Sequence, residues 1–151
     1  MRSCSSPTAT RRSLWTDCAV VIRLDHTIIP ARDGEVAARW FADLFGLTAP
    51  IPFSVFWQVT TGNGVDLDFD TYGAGGSFTT GHYAFLVDED EFDAIFERIR
   101  AGGIEHWADP GRRESDTINH HEGGRGVYFR SPDDHLFEII TVPYGGVAKP
   151  G

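Results

Sequence analysis

Cysteine is nearly absent: Cys4 and Cys18 are the only two in 151 residues. Both lie near the N-terminus, so they form neither a disulfide framework nor a cysteine-based zinc spacing, and a reducing cytoplasm is the expected compartment. Cations are also scarce, with 13 Lys and Arg against 22 Asp and Glu and a net charge of -9. Nucleic-acid and anionic-membrane surfaces are built from clustered cations, so neither partner is expected. No window approaches the roughly 18 uninterrupted apolar residues of a membrane span. The opening MRSCSSPTATRRSLWTD is rich in Ser, Thr and Arg but lacks the apolar segment of a targeting signal. Residues 1–19 are expected to be a disordered tail and 147–151 a short second one.

What is present suffices for one domain over about residues 20–146, with 41% apolar and 13% aromatic residues to fill a core. AVVIRLDHTII sets Leu24, His26 and Ile28 against Asp25, Thr27 and Ile29, the alternation of a strand. Asp33 then caps a predicted helix with Val36, Trp40, Leu44 and Ala37, Phe41, Phe45 at three- and four-residue steps, ended by Gly46. FSVFWQVT, the turn at Asn63-Gly64 and VDLDFD read as a hairpin. The order then repeats. GHYAFLV is a strand, Asp88 and Glu91 open a helix carrying Phe92, Ile95, Phe96 and Ile99 as far as Gly102-Gly103, and VYF, a turn at Pro132 to Asp134, and LFEIITV follow. His26 aligns with His82 after 56 residues and Asn63-Gly64 with Asp133-Asp134 after 70, so the second unit is longer by about 14 residues, in the loop containing TINHHEGG.

Three ionisable groups interrupt matching apolar faces: His26 beside Leu24 and Ile28, His82 beside Ala84 and Leu86, Glu138 beside Leu136 and Ile140. A lone carboxylate buried there costs several kcal/mol unless something positive meets it. Two neutral imidazoles and a carboxylate suit a divalent cation and leave coordination positions open. Singly, each residue also has a plainer reading, a core histidine with a satisfied hydrogen bond or a glutamate paired with an arginine such as Arg125. Asp68 occupies the place of Glu138 in the first unit and shares its face with Asp66 and Asp70. In the TINHHEGGRG loop, His120 and His121 titrate near neutrality and can close over a cleft or simply face water. Tyr128 either hydrogen-bonds a substrate oxygen or packs at a strand edge. Trp57 and Trp107 are candidates to line the cleft, and Trp40 to fill the core.

LDHTIIPARD, GHYAFLV and the closing GVYFRSPDDHLFE, close to a YFxDPDGHxxE pattern, resemble the vicinal oxygen chelate superfamily over about residues 20 to 144. Its members are glyoxalases, extradiol dioxygenases, fosfomycin-resistance thiol transferases and bleomycin-binding proteins. The resemblance implies an α+β fold of two βαβββ modules, about 20–72 and 78–144, whose curved mixed sheets enclose a metal cleft. It implies His26, His82 and Glu138 as ligands of one divalent ion (Fe, Mn, Zn, Ni or Co) and a homodimer. The fourth ligand of the glyoxalase pattern falls on Asp68, whose arm is shorter, so ligand, general base, neighbour to a ligand and plain solvated edge residue all stay open. The potassium-binding serine loop of the thiol transferases is replaced here by HEGGRG, and their phosphonate-holding lysine by Ala108. The bleomycin-binding branch lacks the ligands that this chain retains. The expected protein is a metal-dependent enzyme for a small substrate with neighbouring oxygens. A glyoxalase-like isomerase or lyase comes first and a ring-cleaving dioxygenase second; a metal-free binding protein is the reading from another class. Catalytic roles are expected of Glu138, Asp68, His121 and Tyr128.

Overall fold

A computed structural model describes residues 22–146; the expected tails and both cysteines lie outside the described residues. Strand β1 (His26–Ala31) leads into helix α1 (Gly34–Phe45), then β2 (Ile51–Phe53), β3 (Phe56–Thr60) and β4 (Asp66–Thr71). The second module repeats the order with β5 (His82–Leu86), α2 (Glu89–Ala101), β6 (His106–Trp107), β7 (Gly126–Arg130) and β8 (Leu136–Ile140). Each module is a four-stranded mixed sheet, in the orders β1-β4-β3-β2 and β5-β8-β7-β6. No helix among the described residues is long and apolar enough to cross a membrane.

The local signals act as expected. Asp33 accepts the Val36 N–H at 3.1 Å, and Gly46 closes α1 at φ +69°. Asp88 and Glu91 form the capping box of α2. Glycine is needed at position 34 because α1 starts against β4, where a Cβ would lie 2.7 Å from the Phe69 carbonyl oxygen. Two details differ from the sequence reading. Val36 is exposed, because it sits about 140° around the helix from Phe41, the centre of the buried face. FSVFWQVT is two strands, broken at Ser54-Val55 with Ser54 at φ 56°.

The duplication is visible in the ladders. In the first module Ile28 pairs with Asp68, and in the second Ala84 pairs with Glu138. These are the same positions under the 56- and 70-residue shifts, so Asp68 and Glu138 are equivalent.

The core decides how the modules meet. Phe41 of α1 touches Phe69 in the first module and Phe85 and Phe137 in the second, while Phe45 touches Phe85 and Phe129. The inner faces of both sheets therefore share one helix-filled core. By strand alternation, the faces that carry His26 and Glu138 point away from it.

Two polar clasps tie the modules. Arg32 reaches the β7–β8 turn, donating from its backbone N–H to Asp133 at 2.9 Å and from its guanidinium to the Pro132 carbonyl and Asp134. His135 is almost fully buried; its Nδ1 accepts the Gly81 N–H at 2.9 Å and its Nε2 donates to the Pro30 carbonyl at 2.7 Å. Replacing His135 with leucine orphans a half-buried donor and a half-buried acceptor, together worth on the order of 3 kcal/mol. Urea unfolding of His135→Leu should show a loss on the order of 3 kcal/mol, and an unchanged midpoint would remove this account.

Candidate metal centre

β8 pairs with both β5 and β7, which puts His82, Glu138 and Tyr128 on one outward face. Glu138 is completely buried there. Arg125, a possible partner from the sequence, is elsewhere: it binds Glu89 and Asp93 of α2 and lies over the Phe92 ring. The carboxylate instead receives the Tyr144 hydroxyl on Oε1 at 2.5 Å. With that proton committed, Tyr128 donates to the Tyr144 oxygen at 2.7 Å. Burial is the first cause that raises both tyrosine pKa values; hydrogen bonding raises Tyr128 further, while for Tyr144 the bond to Glu138 raises the value and the bond from Tyr128 lowers it, and both remain neutral phenols at physiological pH.

The other oxygen, Oε2, is buried and makes no hydrogen bond. Its neighbour is His82 Nε2 at 3.2 Å. The Nδ1 of His82 lies 3.0 Å from the Leu136 carbonyl, which can only accept, so Nδ1 carries a proton and Nε2 faces the carboxylate. That approach is balanced by a cation between the two atoms, either a proton on Nε2 or a metal ion. A metal fits, because metal-binding histidines generally give their second N–H to a carbonyl or carboxylate.

His26 has the same preparation. Its Nδ1 meets Asp25 at 2.8 Å, a hydrogen bond that raises its pKa, and Nε2 is left for another partner. Asp68, beside it on the same face, is buried and accepts from Gln58 Nε2 at 2.9 Å. Yet His26 is not brought to His82 and Glu138: no group of three or more His, Cys, Asp or Glu side chains able to hold a metal forms among the described residues. The shared core explains this, since both the face with His26 and the face with His82 and Glu138 point away from it.

Among the remaining sequence candidates, Trp107 stands opposite Tyr128 and joins the outward face of the second module. Trp57 stands opposite Phe69, on the core side under Arg39, and does not line the cleft. Trp40 packs toward Phe137 in the core. His121 is exposed in a one-turn 3-10 helix, His121–Gly123, and His120 Nδ1 lies 3.2 Å from the Gly124 carbonyl. That loop abuts residues 141–146: Arg125 N–H donates to Thr141 Oγ1, and a Cβ at Gly124 would touch Val142. Tyr144 was not legible in the sequence, because it lies beyond the strand and returns to Glu138 only through a turn at Pro143 to Gly146. A cavity of about 610 Å³ opens beside α2, lined by Phe96, Arg100, His106 and Ile118; none of the candidate residues lines it.

A family model described as the glyoxalase/bleomycin resistance protein/dioxygenase superfamily matches residues 23–139. The solved structure of oxidase ChaP-H1 is 52% identical with a TM-score of 0.79, covering 83% of this chain and 100% of that one. Glutathione transferase FosA from Serratia marcescens is 27% identical over 120 residues, 77% of this chain and 78% of that protein. The match to metallothiol transferase FosB from Shouchella clausii, at 35% identity, spans only 37% of that protein. FosX from Listeria monocytogenes, solved in complex with Mn(II) and sulfate, is 23% identical with a TM-score of 0.62 over 84% of this chain and 95% of that one, a likeness of fold.

Removal of the Tyr144 hydroxyl leaves Glu138 Oε1 without its donor. Tyr144→Phe should therefore lose about 1–3 kcal/mol in urea unfolding while its Mn(II) affinity falls about 10- to 100-fold by calorimetry; unchanged affinity would make the tyrosine a bystander to the metal.

Proposed function

The chain belongs to the glyoxalase/bleomycin resistance protein/dioxygenase superfamily, and from that premise we propose that it is a divalent-metal oxidase for a small molecule with two neighbouring oxygens. The observation that carries this is the orphaned Glu138 oxygen 3.2 Å from an imidazole nitrogen. Two histidines and one carboxylate with open positions form the donor set of oxygen-activating ferrous enzymes, and Mn, Zn, Ni and Co accept the same ligand types. The 52% identity to an oxidase over most of the chain supports oxygen-dependent chemistry ahead of the isomerase or lyase that the sequence put first.

His26 then comes from a second copy. Its face bears Leu24 and Ile28, exposed at 66% and 47%, and the face with His82 bears Leu86, exposed at 60%. Covering these apolar side chains by a two-fold partner sets the first module of one copy against the second module of the other. Each of two equal sites would receive His26 from one chain and His82 with Glu138 from its partner.

When bound, the metal supplies a Lewis acid toward the neighbouring oxygens of the substrate. The protein groups do the rest. Tyr144 fixes Glu138 so that Oε2 is presented. Tyr128, neutral at physiological pH, turns its hydroxyl from Tyr144 to a substrate oxygen. Asp68, held by Gln58, faces the cleft from the opposite module and accepts a proton, and His121 stands on the loop at its edge as a second proton-transfer group.

A shared site is testable by complementation. His26→Ala and Glu138→Ala homodimers should each be inactive, whereas an equimolar mixture refolded together should recover about a quarter of wild-type activity, because half the dimers carry one intact site of two. No recovery would place all ligands within one chain. Ferrous-loaded protein should consume oxygen with catechols and lose this in Glu138→Ala; oxygen-independent turnover of a thiol–methylglyoxal adduct would instead favour the isomerase.

A further inference from the structure

The outward face of the second module carries two cations that the metal centre does not use. Arg130 lies two residues after Tyr128 on β7 and shares its face. Beside it, Trp107 is buried under two guanidiniums, with the Arg112 carbon 5.4 Å and the Arg130 carbon 5.8 Å from its ring centroid. The two charges are thus no more than about 11 Å apart, the sum of those distances.

Neither is well neutralised. Arg130 Nε lies 3.4 Å from Glu105 and its Nη1 3.7 Å from Asp134, which already accepts Arg32 at 3.0 Å. The Nε itself is buried and makes no hydrogen bond. Arg112 makes no ion pair among the described residues, while the adjacent Arg113 takes Asp109. In a chain of net charge -9, two arginines gathered on one indole without short carboxylate partners repel each other until an anion joins them.

Their position gives the anion a role. Arg130 stands opposite Leu136, which stands opposite His82, so its Cα is two inter-strand steps, about 10 Å, from that of His82. Its guanidinium leans toward Trp107 on β6, across β7 from β8 and His82, so the two arginines lie on the same outward face but about 10 Å or more from the metal centre. We propose that Arg130 and Arg112, set on Trp107, form an anion subsite that receives a carboxylate on an aromatic substrate whose neighbouring oxygens lie at the metal centre. The location of those oxygens rests on the proposed function; the binding of the carboxylate does not.

The probe is 1-naphthoate, with neutral 1-naphthylmethanol as control, titrated calorimetrically into the full chain with chelator and with Mn(II). Wild type should bind naphthoate in both conditions, and Arg130→Gln and Arg112→Gln should each weaken it about tenfold or more, as loss of a charged hydrogen bond predicts. Naphthylmethanol should not distinguish the three proteins. With Mn(II), 3-(3,4-dihydroxyphenyl)propanoate, whose carboxylate sits across the ring from its paired hydroxyls, should bind at least about tenfold more tightly than catechol in wild type and lose that advantage in Arg130→Gln. Unchanged naphthoate affinity in both variants overturns the subsite. So does an Arg130→Gln protein that dissociates into monomers yet binds naphthoate as before, which would assign the arginine to the contact between copies. Arg112 is exposed, so its variant decides the matter even if Arg130→Gln fails to fold. Catechol that ignores the Mn(II)-loaded protein while naphthoate still discriminates the variants removes the metal centre and keeps the subsite.

Discussion

A carboxylate with no solvent exposure stands in the middle of an apolar sheet, and much of the second module is arranged around it. Removing Glu138 from water costs several kcal/mol before any compensation. One oxygen is met by Tyr144, which is met by Tyr128; the other makes no hydrogen bond and has only His82 Nε2 beside it at 3.2 Å. That half-finished satisfaction is the sign of a site, since a purely structural glutamate would have both oxygens paired. Its neighbours on the strand, Phe137 and Ile139, are locked in the core, so the carboxylate cannot swing out to water without disrupting β8.

The second organising constraint is the aromatic layer around α1. Phe41 and Phe45 bind both sheets, and the polar clasps at Arg32 and His135 hold the modules in one relative position. A chain that packs its two inner faces together leaves its two ligand-bearing faces outward. The same hydrophobic demand that builds the core therefore separates His26 from His82 and Glu138, and leaves Leu24, Ile28 and Leu86 exposed. Under the proposed function, a second copy covers them, so that folding within one chain would precede site assembly between two.

The two ends of the outward face differ in chemistry. At one end stand a carboxylate and the His82 imidazole; at the other, two arginines on an indole. Under the proposed function and subsite, a substrate that satisfies both carries paired oxygens and a negative group roughly one or two rings apart, a narrower description than the superfamily alone allows.

The sequence by itself determined both helices, their caps and most of the strands, though not the break at Ser54-Val55 or the short β6, because alternation, three- and four-residue spacing, Asp33, Gly46 and the Asp88–Glu91 box act over a few residues. It also determined the duplication, and with it the equivalence of Asp68 and Glu138, since a two-residue period keeps face assignment intact under a fixed shift. Only the tertiary structure decided which faces meet. It sent Trp57 to the core and Arg125 to α2, returned Tyr144 to Glu138 through a turn with no periodic signature, and gathered Arg112 and Arg130 on Trp107. Local patterns state which side of a strand is apolar; which partner covers that side depends on contacts between residues far apart in the chain, and those are fixed by packing the whole core at once.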